Sequence, residues 1–349
     1  MRNLAIFIWG IGMMLSVSCS ESSVLAGKQT FVYAVKGTDS LKLDVWNNPD
    51  AVVKGKKPVF LYTHGGGWEG GSRDSDNIKL YQGFGDKGFI VVSIDYRLGY
   101  REARNEGQIP DISITPDLIK GQMDDPDKMK AVKRGLDEGV EDLYDATAYI
   151  LSHAREWNAD PKRIILGGSS AGACISLQAE YGRNNGSEKA VEHLPGNFSY
   201  AGVIAGAGAI WEFGGEEPAF SKKTCPIMLF HGKMDQLVPY GLKSFENTGV
   251  RAFGSSVIAD KLDETGVPCW FVSCENADHC IAGAPFTASQ DEIVSFINRA
   301  VFSGEKVSVR SSENTYGEPR TILNFAKKEW GLTDEQIKTV LEKMGLETL

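Results

Sequence analysis

Six short runs of almost uninterrupted apolar residues set the strongest limit on what this chain can fold into. They are "PVFLYTH" (58–64), "GFIVVSIDY" (88–96), "RIILGGS" (163–169), "YAGVIAGAG" (200–208), "CPIMLFHG" (225–232) and "PCWFVSCEN" (268–276). Runs of this length without polar alternation belong to strands covered on both faces, the habit of parallel sheets. Helical patterns lie between them. Residues 140–157 carry Leu143, Ala146, Tyr149, Ile150 and His153 on one stripe, and 171–182, 255–266 and 289–301 are further candidates, the last opening on a serine cap. Alternating strand and helix implies the α/β class: a mostly parallel central sheet, helices on both faces, right-handed crossovers. Ahead of it, "FVYAV" (31–35) and "LKLDVW" (41–46), separated by "GTDS", predict an antiparallel hairpin.

The 349 residues are 42% hydrophobic and 24% charged, enough for a large packed core. A net charge of -9 supplies no basic face and argues against a nucleic-acid binder. Met1 and Arg2 precede the apolar run "LAIFIWGIGMMLSV", then small residues and Cys19, so residues 1–18 read as a secretory signal. The stretch resembles a bacterial lipoprotein signal, with Cys19 as lipidated mature N-terminus, although Leu15 lies four residues ahead where three is usual. Plain cleavage and secretion fit the same residues. The expected location is therefore exported: a periplasmic or outer-membrane-anchored lipoprotein, alternatively a secreted protein, touching membrane only through the anchor. Cys174, Cys225, Cys269, Cys274 and Cys280 read as mostly free, buried thiols, since a chain with this much core needs no staples; a Cys274–Cys280 bridge is left open. Their spacing suits no zinc site, and no metal is expected.

Two stretches break the strand–helix rhythm. Residues 99–135 are long, charged and Pro-containing, and read as a lid-like insertion or binding loop. Residues 303–320 read as a polar linker, followed by amphipathic helices in "TILNFAKKEWG" and "TDEQIKTVLEKMG", with Thr333 and Gln336 forming a capping box. The expected organisation is signal 1–18, a main domain 28–302 and an appendage 303–349.

Chemistry concentrates at a few points. "GSSAG" (168–172) sits between a strand and a helix, a G-x-S-x-G elbow that makes Ser170 the candidate nucleophile and Ser169 the filler. "THGGGWEGG" (63–71) follows another strand, and three consecutive glycines suit a backbone that must approach a ligand closely. Gly66, Gly67 and Ala171 are the candidate oxyanion donors, with His64 and Gly65 supporting the loop. Of five histidines, His64 belongs to that loop, His153 to a helix face and His193 to a polar loop. His231 ends a strand, and Asp235 follows it in a loop. His279 follows the last core strand. Ser170, Asp235 and His279 therefore fall after successive carboxyl ends of strands, where open α/β sheets gather ligands. Asp260 and Asp263 are rivals for the acid, and Asp278 is too close in sequence to serve His279.

Together "HGGGW", "DYRL" (95–98), "GSSAG", "HGKMDQLVP" and "DH" resemble the α/β-hydrolase superfamily, in its carboxylesterase and hormone-sensitive-lipase-like branch, over roughly residues 28–300. The resemblance implies the α/β-hydrolase fold, a Ser–His–Asp hydrolase of carboxylic esters and no cofactor. The partner would be a small-molecule or carbohydrate ester, such as an acetylated or feruloylated plant polysaccharide. The chain departs from that branch in the insertion after "DYRL" and in the lack of amino-terminal lid helices, with the fold expected to start directly after the signal. Residues 99–135, Trp68 and Trp211 are the expected walls of the binding site, core packing being the alternative for both tryptophans. A serine peptidase or amidase on the same fold, and a non-catalytic binding module derived from a hydrolase, are the other readings.

Overall fold

A computed structural model describes residues 27–75, 78–110, 123–313, 327 and 333–343. The signal sequence, Cys19, most of "TILNFAKKEWG" and the middle of the 99–135 segment lie outside the described residues.

The chain opens with β1 (Gln29–Lys36) and β2 (Asp39–Asn47), paired antiparallel as the alternating pattern requires. Then come β3 (Lys57–Thr63), α1 (Ile78–Asp86), β4 (Ile90–Ile94), α2 (Gly99–Asn105) and the 28-residue α3 (Pro126–His153). The elbow region is β5 (Ala159–Ser169) and α4 (Ala171–Asn184), followed by the short α5 (Glu188–His193). After β6 (Gly202–Gly206) the chain makes β7 (Ala209–Phe213), β8 (Ile227–Gly232), β9 (Leu242–Phe245) and β10 (Val250–Gly254). It continues with α6 (Ser255–Thr265), β11 (Cys269–Cys274), α7 (Pro285–Ala288), α8 (Gln290–Phe296), β12 (Ser308–Glu313) and α9 (Asp334–Lys343).

Among the described residues, nine strands form one sheet in the order β1-β2-β4-β3-β5-β6-β8-β11-β12, antiparallel only at β1–β2 and β2–β4. Alternate residues of one strand feed opposite layers, as the two-residue period of a strand demands. Val59 and Leu61 enter the larger core with α3 and α4, whereas Phe60 and Tyr62 enter the second core with α1 and α8. Both layers are dry, which is why these strands show no polar alternation.

Three expectations need correction. Residues 308–313 are not linker: β12 pairs parallel with β11 from Cys269–Ser308 to Cys274–Glu313 and is the edge of the main sheet. An edge strand with alternating exposure can be as polar as a loop. The insertion is also shorter than 99–135. Residues 99–105 are α2, and α3 begins at Pro126, behind Asp125, whose side chain accepts the N–H groups of Asp127 at 2.9 Å and Lys128 at 3.1 Å. Gly135 and Gly139 disguised this helix as a loop. They are contact points instead, since a Cβ would lie 2.6 Å from Trp68 at the first and 2.5 Å from Ile175 at the second. Finally, His193 ends α5 and bonds to Asp145 rather than standing in a polar loop.

The "DYRL" arginine explains its own motif. Arg97 clasps Asp142 of α3 through Nε at 3.0 Å and a terminal nitrogen at 2.8 Å, and the Arg97 N–H adds a bond of 2.7 Å. The Asp142 side chain is fully buried. Breaking a buried pair by removing one partner costs about 3–5 kcal/mol. Asp142→Ala is therefore expected to lower the unfolding free energy by roughly 3 kcal/mol, read from urea titration. An unchanged midpoint would mean that this pair does not fasten α3 to the sheet.

Candidate active site

The elbow carries strained backbone. Ser170 has φ 53° and ψ −121°, a conformation that non-glycine residues adopt only where their surroundings enforce it. Here the enforcement is visible. The Ser170 N–H donates to the Gly206 carbonyl at 2.8 Å, and the Ser170 carbonyl accepts from Cys174 at 2.9 Å at the start of α4. A Cβ at Gly172 would lie 2.1 Å from the Thr63 carbonyl oxygen, and one at Gly168 would lie 2.4 Å from that of Gly172. The two motif glycines thus let β3, β5 and α4 converge.

Ser170 Oγ is 2.8 Å from His279 Nε2, and His279 Nδ1 is 2.6 Å from Asp235 Oδ2. Asp235 Oδ1 accepts the N–H groups of Leu237 at 2.8 Å and Val238 at 2.9 Å, which aims Oδ2 at the imidazole. Burial pushes the Asp235 carboxyl up, but the charge of His279 and hydrogen bonds from His231 and His279 outweigh it and hold the group well below the usual carboxylate range. His279 Nδ1 therefore donates to a carboxylate, which leaves Nε2 free to accept the serine proton. His279 is buried, and Ser170 is only 3% exposed.

The neighbouring serine has a different task. Ser169 Oγ accepts from the Tyr62 hydroxyl at 3.0 Å within the core. The rival acids are occupied elsewhere, Asp260 and Asp263 both pairing with Arg310 of β12. Asp278 accepts the Cys280 N–H at 2.8 Å, capping the short turn that carries His279.

The glycine loop lies against the elbow, a Cβ at Gly65 being 3.2 Å from the Ser170 Cβ. Gly66 (φ 121°) and Gly67 (φ 63°) adopt backbone that favours glycine. Among the described residues, the N–H groups of Gly66, Gly67 and Ala171 have no protein acceptor. Unclaimed donors on a loop that touches the elbow, and on the residue after Ser170, are the kind of group that can hold a developing anion. His64 stands behind this loop. Its Nδ1 donates to the Gly65 carbonyl at 2.7 Å, and its ring stacks on Tyr96 at 4.3 Å. Burial lowers its pKa to about 4, so it is neutral and serves the loop's shape.

The expected walls divide. Trp68 and Trp211 meet edge to face at 6.3 Å and are both buried, so they are packed residues rather than exposed platforms. From the insertion, α2 braces the glycine loop: Arg101 donates its N–H to the Trp68 carbonyl at 3.3 Å, and Arg104 pairs with Glu69. Sequence patterns did not reveal the three-stranded antiparallel sheet β7-β10-β9, which stacks Phe245 on Trp211 at 5.7 Å. Its strands are short and split between segments, leaving only the lone aromatic positions as a signal. Cys174, Cys225, Cys269, Cys274 and Cys280 form no disulfide with one another, and all but Cys280 are buried. Among the described residues no group of three or more His, Cys, Asp or Glu side chains could hold a metal ion, and no helix is long and apolar enough to cross a membrane.

Known proteins share these features. A family described as BD-FAE matches residues 43–120, and one described as alpha/beta hydrolase fold matches residues 130–194. The chain is similar to fumonisin B1 esterase of Sphingopyxis macrogoltabida, 31% identical over 39% of this chain and 22% of that protein. It is also similar to carboxylesterase NlhH of Mycobacterium tuberculosis, 30% identical over 41% of this chain and 35% of the relative. The chain thus spans about a third or less of the length of these curated relatives. Thermogutta terrifontis esterase 2 shares the fold, with a TM-score of 0.53 at 18% identity over 80% of this chain and 97% of that one. The sheet order and the elbow, taken with these matches, give the chain the α/β-hydrolase fold. Both of these curated relatives are esterases by name.

Proposed function

We propose that this protein hydrolyses carboxylic esters through an acyl-enzyme on Ser170. The observation that carries the reading is the continuous chain of hydrogen bonds Ser170–His279–Asp235. His279 Nε2 takes the hydroxyl proton as Ser170 Oγ attacks the carbonyl carbon. The N–H groups of Gly66, Gly67 and Ala171 stabilise the oxyanion, each such donor being worth about 3 kcal/mol. Asp235 stabilises the imidazolium without taking its proton. His279 then protonates the departing alcohol, and a water molecule, deprotonated by the same nitrogen, frees the acid. These steps need no cofactor.

The substrate reading follows from the amino terminus. Residues 1–19 support export, either anchored through Cys19 or secreted, and an exported esterase meets polymers outside the cell. Acetyl or feruloyl esters of plant polysaccharide are the proposed class, with the esterase relatives supporting the bond type alone.

The test uses protein lacking residues 1–19, with Ser170→Ala as blank. Hydrolysis of p-nitrophenyl acetate is expected, together with acetate release from acetylated xylan or ferulate release from methyl ferulate. Activity on p-nitrophenyl acetate alone would keep the ester reading and remove the polysaccharide one. No turnover of any of the three by folded protein would overturn both.

A further inference from the structure

The carboxylate of Asp235 has a second imidazole on it. His231, the penultimate residue of β8, is fully buried, and its Nε2 lies 3.2 Å from the same Oδ2 that receives His279. That nitrogen also lies 3.1 Å from the Val238 carbonyl oxygen. Both neighbours are acceptors, so Nε2 carries a proton and donates. On the other side of the ring, Nδ1 is 2.8 Å from Ser255 Oγ, at the first residue of α6, and Ser255 Oγ is 3.2 Å from the Gly208 carbonyl oxygen. Ser255 is fully buried as well. The other titratable groups facing this assembly are His279 across the shared carboxylate, Tyr240, whose ring packs edge-on at 5.6 Å, and Cys174, whose thiol lies within the field of Asp235.

From this arrangement we propose that His231, oriented by Ser255, is a positioning residue for ester hydrolysis: its Nε2–H fixes Asp235 Oδ2 in place and shares its negative charge. The inference rests on the triad reading above and deepens it. Val238 closes the assembly, accepting from His231 through its carbonyl and donating its N–H to Asp235 Oδ1, so His231 of β8 touches the loop 235–238 at Val238 and at Asp235. A carboxylate with this extra donor is a weaker base. It stabilises the His279 imidazolium as the Ser170 proton arrives, and still lets that proton pass on to the departing alcohol. The sequence pattern held the clue in "HGKMD": one residue on the strand and another four positions later in the loop bring both side chains to one point.

The test compares His231→Leu, His231→Gln and Ser255→Ala with wild type on p-nitrophenyl acetate, with thermal unfolding to check the fold. In His231→Leu, kcat is expected to fall about tenfold to hundredfold with KM changed less than about twofold. The acid limb of kcat/KM is expected to move up by about one pH unit, because a carboxylate that has lost a donor holds the proton of His279 more firmly. His231→Gln offers an amide N–H where Nε2 stood and is expected to restore both readouts. Ser255→Ala is expected to shift the limb in the same direction by less. Unchanged kcat and pH limb in a folded His231→Leu overturn the inference, as does a loss of activity with no limb shift and no rescue by glutamine. If His231→Leu does not fold, Ser255→Ala decides, and an unshifted limb overturns the proposal. Ser170→Ala separates the two levels. Retained turnover there overturns the triad itself, whereas a silent Ser170→Ala beside an unaltered His231→Leu removes only the positioning role.

Discussion

Ser170→Ala is expected to lose about 10⁶-fold in kcat while folding normally, whereas Ser169→Ala keeps its turnover within about tenfold. The two hydroxyls are adjacent, yet the fold gives them opposite surroundings. Ser170 projects from the strained elbow to His279 Nε2 at 2.8 Å, and Ser169 turns into the core to Tyr62 at 3.0 Å. Truncating Ser169 removes one hydrogen bond that the Tyr62 hydroxyl donates in the core, a stability cost of about 0.5–1.5 kcal/mol. That variant should therefore melt earlier and still turn over. Single-turnover kinetics on p-nitrophenyl acetate separate the cases: the burst of p-nitrophenol disappears only in Ser170→Ala. A burst lost in Ser169→Ala and kept in Ser170→Ala would move the nucleophile by one residue.

How much of this was legible beforehand depends on what each element buries. β3, β4, β5, β6, β8 and β11 lie between two dry layers, so their sequences carry an apolar run that nothing else imitates. β12 has only one neighbouring strand and alternates exposed with half-buried residues, and its composition is that of a loop. The front of α3 was hidden for the opposite reason. Gly135 and Gly139 look like helix breakers until Trp68 and Ile175 are seen to need the space. At the other end of the chain, Thr333 and Gln336 exchange bonds of 2.9 and 3.3 Å, a capping box readable because both partners are local.

The site divides along the same line. Ser170, Asp235 and His279 each follow a recognisable strand, so their gathering at one sheet edge could be read from order alone. Ser255 could not be found that way. It reaches His231 from a different element 24 positions on, with no local pattern to mark it.

Asp235→Asn is the more discriminating substitution, because it should keep the shape of the side chain while reversing one proton. Oδ1 already accepts the N–H groups of Leu237 and Val238, so the amide oxygen will stay there and the new NH₂ will take the place of Oδ2. That donor would face His279 Nδ1, which must then become an acceptor. The imidazole proton moves to Nε2 and points at Ser170 Oγ, where it cannot receive the serine proton. A loss of about 10⁴-fold in kcat is the order expected when only the tautomer is wrong. The second consequence falls on His231, whose Nε2–H would meet the same NH₂ and lose its charged acceptor. Circular dichroism should stay native and KM near wild type, since neither the glycine loop nor the elbow depends on Oδ2. Asp260→Asn and Asp263→Asn, which loosen Arg310 and Ser308 of β12, should leave kcat unaltered. If Asp235→Asn turns over at the wild-type rate, the acid of this site is another carboxylate, and the order Ser–Asp–His along the chain no longer describes the catalyst.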